Sequence, residues 1–212
     1  MVYTDDQLSR YLDNLVPKRP DELREMEAYA EEHGFPIIGP AAGYYCYLTA
    51  RMIGARHIFE LGSGYGYSTA WFARAVHENG GGEVHHVVWD EQLSRRARKH
   101  LEALGYGDLV RYHVSEAVQT LRETDGPFDL IFNDINKDAY PASLTVIEEK
   151  LRPGGVLIID NMLWSGRVLD DDNQEESTQA IREATSHVVN SDRWLGSLVP
   201  IRDGLLVAYL RH

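Results

Sequence analysis

The sequence predicts an α/β fold. It should be a seven-stranded, mostly parallel sheet with helices on both faces, closed by an antiparallel C-terminal hairpin and preceded by a helical N-terminal extension. Three observations carry this expectation. From position 56 onward, short apolar runs alternate with segments of helical spacing, the pattern of repeated βα units. The run HIFEL at 57–61 passes through Gly62, Gly64 and Gly66 into a helix, as a buried parallel strand does at a tight strand-to-helix turn. Near the C-terminus, Arg202-Asp203-Gly204 separates two apolar stretches with no room for a crossover helix, so the last two strands form a hairpin.

Taken in order, residues 1–55 read as helices. Asp5 to Leu15 carries apolar residues at 8, 11, 12 and 15, the spacing of one helical face. Pro20-Asp21 opens a second helix through about Glu32, stopped by Gly34 and Pro36. Gly39-Pro40 introduces a third, rich in Tyr and Leu, that ends near Gly54. Strands follow at 56–61, 84–89, 109–114, 128–133 and 155–160, with a helix from about Tyr67 to Val76 after the glycine turn. A helix near Glu175 to Val189 precedes the hairpin strands at 194–201 and 205–210. No repeat, low-complexity tract or linker divides the chain, so it reads as one domain over 1–212, with 56–212 as the sheet core.

Composition narrows the function classes. With 21 basic and 33 acidic side chains in 212 residues, the formal charge is −12, which disfavours phosphate-backbone binding. Arg95, Arg96, Arg98 and Lys99 are the one dense basic group, read as a solvated helix face. No apolar run reaches the ~20 residues of a bilayer span, and MVYTDDQLSRYLD lacks a basic-then-apolar leader pattern, so a cytoplasmic protein is expected. Cys46 is the single cysteine, which excludes an intrachain disulfide and a thiolate cluster, and its apolar surroundings mark a buried structural thiol. His85, His86 and His187 lack metal-ligand spacing and read as structural, and the Asp170-Asp171-Asp172 run reads as a solvated loop.

In open sheets of this kind ligands sit beyond the carboxyl ends of the strands. Two such ends carry acids: FDLIFN leads to Asp134 and GVLIID ends on Asp160, on neighbouring strands about 5 Å apart. With Asn161 they form an all-oxygen set suited to Mg²⁺, Mn²⁺ or Ca²⁺ rather than zinc. Capping of the following helices is the structural alternative for each Asp alone. Lys137 lies three residues after Asp134, and a lysine beside a cation in a partly dry pocket is a usable general base. Trp164 and Tyr140 follow these residues on short loops, as walls of an acceptor pocket or as core packing, two readings the sequence leaves open.

The phrases ELGSGYGYS, NDINKDAY, GGVLIIDNMLWSGRV and VPIRDGLLVAYL, in this order and spacing, resemble the cation-dependent class I O-methyltransferases of the catechol and caffeoyl-CoA type, a Rossmann-like family. The likeness spans nearly the whole chain, including Pro40 and Gly43 ahead of the first strand, and DNMLWSG at 160–166 is its most specific part. It implies S-adenosylmethionine over the glycine turn, with Glu60, Gly62, Ser63, Gly64, Gly66 and Ser68 below it. Trp89, Asp90, Glu116, Ala117 and Asp134 would complete the cofactor site. It implies a divalent ion on Asp134, Asp160 and Asn161 that chelates two adjacent oxygens of a small hydroxylated aromatic acceptor. It further implies Lys137 as the base and a homodimer.

One departure stands out. The family places an acid at the end of the second strand for the ribose hydroxyls, and here that position is Val88. Asp90 reaching the ribose, Trp89 stacking on the adenine, and weak cofactor binding are three readings of that change. Asn136 stands at an often acidic position, and Glu116 with Ala117 where an adenine-contacting pair is expected. Two alternatives to a small-molecule enzyme stay open: methylation of a hydroxylated uridine in transfer RNA, and a degenerate fold kept as a binding module.

Overall fold

The computed structural model describes residues 5–212. Residues 1–4, part of the N-terminal stretch discussed above, lie outside the described residues, as do the side chains of Asp5 and Asp6. The chain runs α1 (Asp5–Leu15), α2 (Asp21–His33), α3 (Gly39–Met52), β1 (His57–Leu61), α4 (Tyr67–Glu78), β2 (Glu83–Val88), α5 (Glu91–Ala103) and β3 (Val110–Val114). It continues through α6 (Ala117–Glu123), β4 (Phe128–Asn133), α7 (Tyr140–Lys150), β5 (Leu151–Ile159), α8 (Glu176–Val189), β6 (Trp194–Val199) and β7 (Leu205–Leu210). The strands form one sheet in the order β3-β2-β1-β4-β5-β7-β6. The first five are parallel, and β7 lies antiparallel to both β5 and β6, as the hairpin signal required.

Burial on both faces explains why the strands read as near-continuous apolar runs rather than alternating ones. Ile58, Leu130, Phe132, Val156 and Ile158 join the core beneath α3 and α4. Their neighbours Phe59, Leu61, Ile131, Leu157 and Ile159 join the core beneath α6, α7 and α8. The period-two alternation of a strand thus divides each run between two cores. Cys46 is fully buried in the first of them.

Two elements differ from the expectation. β5 starts at Leu151 rather than 155, because Leu151 pairs with Phe128 before the register jumps to Leu130 opposite Val156. Residues 152–155 bulge out between these pairs, where Pro153 has no N–H to give the ladder. On α1 the apolar face is only partly covered: Leu8 and Leu12 are half-buried while Tyr11 and Leu15 stay exposed. Among the described residues no helix is long and apolar enough to cross a membrane.

The order reverses between β1 and β4: the chain winds outward through β2 and β3 on one side, then through β4 and β5 on the other. Their carboxyl ends therefore splay apart and leave a crevice, the place where open sheets bind ligands.

Candidate active site

Sheet register builds the site. Leu61, Asn133 and Ile159 are partners across β1, β4 and β5, so the next residues, Gly62, Asp134 and Asp160, stand in one row at the sheet edge. Two backbone bonds extend the ladder into that row, Asp134 N–H to Leu61 O at 2.8 Å and Asp160 N–H to Asn133 O at 3.1 Å. Gly62 cannot be replaced cheaply: its φ is 84°, and a Cβ there would lie 2.4 Å from the carbonyl oxygen of Asp134.

At the β4 and β5 tips the charges are closely netted. Lys137 Nζ donates to Asp134 Oδ1 at 2.8 Å and to the Ile135 carbonyl at 3.2 Å. Asp160 is 1% exposed, and its Oδ1 has no hydrogen-bond partner. Arg202 Nη1 lies 3.6 Å from its other oxygen. Burial pushes the Asp160 carboxyl well up, the Asp134 charge adds to that, and Arg202 opposes it. Burial also raises Asp134, against the pull of Lys137. Asn161, at φ 58°, donates its amide nitrogen to Asp203 Oδ2 at 3.2 Å, and its side-chain oxygen has no hydrogen-bond partner among the described residues. One buried carboxylate with an orphan oxygen, a half-buried carboxylate beside it and an amide oxygen fit a hard divalent ion by the chemistry of the donor set.

A cavity of about 760 Å³ covers this row. It reaches Lys137, Asn161, Trp164 and Arg202 at one end and Gly62, Ser63, Gly64, Ser68 and Ala117 at the other. Phe35 to Ile38, between α2 and α3, supply an apolar wall. Trp164 lines the cavity and donates its indole N–H to Ser177 at 3.2 Å. Tyr140 does not line it: the ring is fully buried and its hydroxyl donates to the Asp160 carbonyl at 2.9 Å, so it braces the site from below.

Several sequence-predicted residues have other surroundings. Glu60 lies outside the lining, buried on the α4 side of the sheet, where Thr69 donates to it. Burial pushes its carboxyl up to about 7, against nearby hydroxyls led by Ser68. Gly66 meets α5 instead: a Cβ there would lie 2.9 Å from the Ala97 methyl. Asp90 lies outside the cavity lining and caps α5, its Oδ1 accepting from the Gln92 and Leu93 amides at 2.6 and 3.3 Å. Glu116 lines the cavity but caps α6 in the same way through the Val118 and Gln119 amides. Trp89 is 71% exposed at the cavity rim, and buried Val88 stands where the acid would be. The basic helix is partly spent on packing, with Arg96 over Tyr29 and Arg98 over Tyr112 at 3.8 and 4.1 Å to the ring centres.

The reading from sequence missed Arg202 and Asp203 as site residues by treating them only as a turn. A signal was present. A last strand antiparallel to β5 must begin where β5 ends, and Ile159 does pair with Leu206, so the loop before β7 falls beside Asp160.

A family model described as O-methyltransferase matches residues 15–211. A catechol O-methyltransferase of Niastella koreensis is 31% identical over 183 residues, covering 84% of this chain and 82% of its own. Among solved structures, the O-methyltransferase TomG of Streptomyces achromogenes, in complex with SAM and involved in tomaymycin synthesis, has a TM-score of 0.86 at 27% identity, covering 97% of this chain and 96% of that one. An O-methyltransferase of Bacillus cereus in complex with SAH gives the same TM-score and identity, with 97% of each chain covered.

Proposed function

The chain belongs to the O-methyltransferase family and uses S-adenosylmethionine as methyl donor, and from that premise we propose that it methylates one hydroxyl of a small aromatic acceptor with vicinal oxygens, assisted by a divalent cation. The observation that carries this reading is the row at the sheet edge. It sets the orphan oxygen of Asp160 beside Asp134 and Lys137 in a half-enclosed cavity.

Gly62, Ser63, Gly64 and Ser68 would hold the donor, and Asp134, Asp160 and Asn161 would hold the ion. The donor supplies a sulfonium methyl group open to in-line displacement, and the ion supplies Lewis-acid activation of a bound hydroxyl. The remaining work falls to the chain. Asp134 and the Ile135 carbonyl fix Lys137 Nζ at the site, where its neutral amine form would accept the proton of the reacting hydroxyl. Tyr140 holds the Asp160 backbone, and Asp203 orients the Asn161 amide. The Phe35–Ile38 wall and Trp164 keep water from the acceptor ring. The catechol-like acceptor is supported by the printed name of the Niastella relative. Transfer RNA gains no support, since Arg96 and Arg98 are engaged by tyrosines and the chain is acidic overall.

A homodimer belongs to this reading too. It is supported by exposed Tyr11 and Leu15 on α1 and exposed Leu48 and Met52 on α3, two helices in contact. Light scattering of the purified protein reads the mass directly. The activity itself is tested by incubating labelled S-adenosylmethionine with a catechol, with Mg²⁺ and with EDTA. Label transfer that requires the ion is the expected result. Equal transfer in EDTA refutes the cation, and no transfer to any vicinal diol refutes the acceptor class.

A further inference from the structure

Arg202 stands in the middle of the loop between β6 and β7, with φ 52°, a left-handed conformation that non-glycine residues seldom adopt. The loop around it is stapled to the segment after β5. Leu163 N–H donates to the Asp203 carbonyl at 2.7 Å, Met162 N–H to the Gly204 carbonyl at 3.0 Å, and Ser165 N–H to Asp203 Oδ1 at 2.6 Å. The base of the side chain is therefore fixed. Its stem runs beside Gly39, with Cδ 3.9 Å from where a Cβ on that residue would sit, and its head lines the cavity. Among the described residues the guanidinium makes no hydrogen bond, and its one ion pair is the 3.6 Å approach to Asp160. A group with five N–H donors in a planar fork is left without an acceptor.

The proposed function makes that arrangement consequential. Once Asp160 and Asp134 are committed to a divalent ion, the two acidic charges that Arg202 faces in the cavity are engaged. Lys137 keeps the Ile135 carbonyl as a partner and is assigned to the reacting hydroxyl. Asp203 is held by the Asn161 amide and the Ser165 N–H. The remaining partner for the guanidinium is the acceptor itself.

We propose that Arg202 is a specificity-determining residue that selects acceptors bearing a carboxylate: vicinal dihydroxy aromatic acids rather than neutral catechols. A single planar fork matches a carboxylate in two parallel hydrogen bonds. A doubly charged phosphate fits less well, because Asp138 lines the same cavity and Asp203 neighbours the fork in sequence. The inference rests on the cation-assisted catechol reading and deepens it.

The test compares 3,4-dihydroxycinnamate with its methyl ester, which keeps the diol and removes the charge. The wild type is expected to favour the acid by roughly tenfold or more in kcat/KM. Equilibrium dialysis with S-adenosylhomocysteine and Mg²⁺ should show the same order in Kd. In Arg202→Gly, which suits the left-handed backbone and so protects folding, the acid-to-ester ratio should fall toward one; Arg202→Lys should restore part of it. A purely structural role would lower both acceptors alike and leave the ratio unchanged, which would overturn the inference. A wild type that prefers the ester would overturn it as well. If the wild type methylates neither compound in Mg²⁺, the acceptor reading itself fails and the inference falls with it.

Discussion

At the tips of β4 and β5, side chains point at one another: Lys137 at Asp134, Arg202 at Asp160, Asn161 at Asp203. At the tips of β2 and β3 the acids face helix starts instead, Asp90 and Glu116 each accepting from the first amides of the next helix. Both ends belong to one cavity and one sheet edge. One end is charged, with burial raising the carboxyls of Asp160 and Asp134 while Arg202 and Lys137 oppose it. The other is a glycine turn and an apolar strand end, which offer backbone N–H groups and shape rather than charge. The proposed reaction chemistry belongs at the charged end, where Lys137, Asp134, Asp160 and Arg202 converge on the cavity.

The largest expected effect breaks the charged end. Asp160→Asn should depress methyl transfer by about 10³-fold. In the metal-free protein it should raise the melting temperature, since a buried charge with an orphan oxygen is removed. Loss of activity together with loss of stability would mean that Asp160 serves the fold rather than the reaction. Lys137→Ala comes next, with turnover down roughly 10²-fold and the Kd for S-adenosylmethionine within a fewfold of wild type, measured by calorimetry. Unchanged turnover would remove Lys137 from the base role.

The quiet end is sharpened by gain rather than loss. Val88→Asp supplies the missing ribose partner and should tighten S-adenosylmethionine by roughly tenfold, if the side chain faces the cofactor as the resemblance implies. A weaker complex would mean that Trp89 or the backbone already satisfies the ribose.

The smallest effect on catalysis is expected at Glu60, and its signature lies in stability. Its folded carboxyl is raised from 4.5 to about 7 by burial. The folded state therefore holds a proton that the unfolded chain has released between those values. That stabilisation is fully present below about pH 4.5 and disappears as pH rises through 7, an amount on the order of 3 kcal/mol. Urea melts of Glu60→Gln between pH 5 and 8 should show a shallower decline than wild type. Parallel curves would place the titration elsewhere.

What was legible from sequence divides along the same line. The strands, the glycine turn and the hairpin were readable because burial on two faces writes itself into apolar runs. The adjacency of Asp134 and Asp160 followed from their strands being neighbours. Helix caps were harder. Asp90 and Glu116 satisfy the same acidic pattern whether they hold a ligand or the amides two and three residues on, and only the backbone geometry decides. The start of β5 was hidden because Pro153 cannot donate to the ladder and the pairing of Leu151 is separated from the main strand by a bulge. Arg202 was hidden because a turn residue was judged by its local role, while the antiparallel register of β7 carries it across the sheet edge to Asp160.

The central claim is that the row of strand tips holds a divalent ion. Titrating Mn²⁺ into the chelator-stripped protein by calorimetry, with wild type and Asp160→Asn side by side, tests it most directly. One ion bound per wild-type chain and none by the variant is the predicted result. Equal binding by both, or none by either in the presence of S-adenosylhomocysteine, would contradict it.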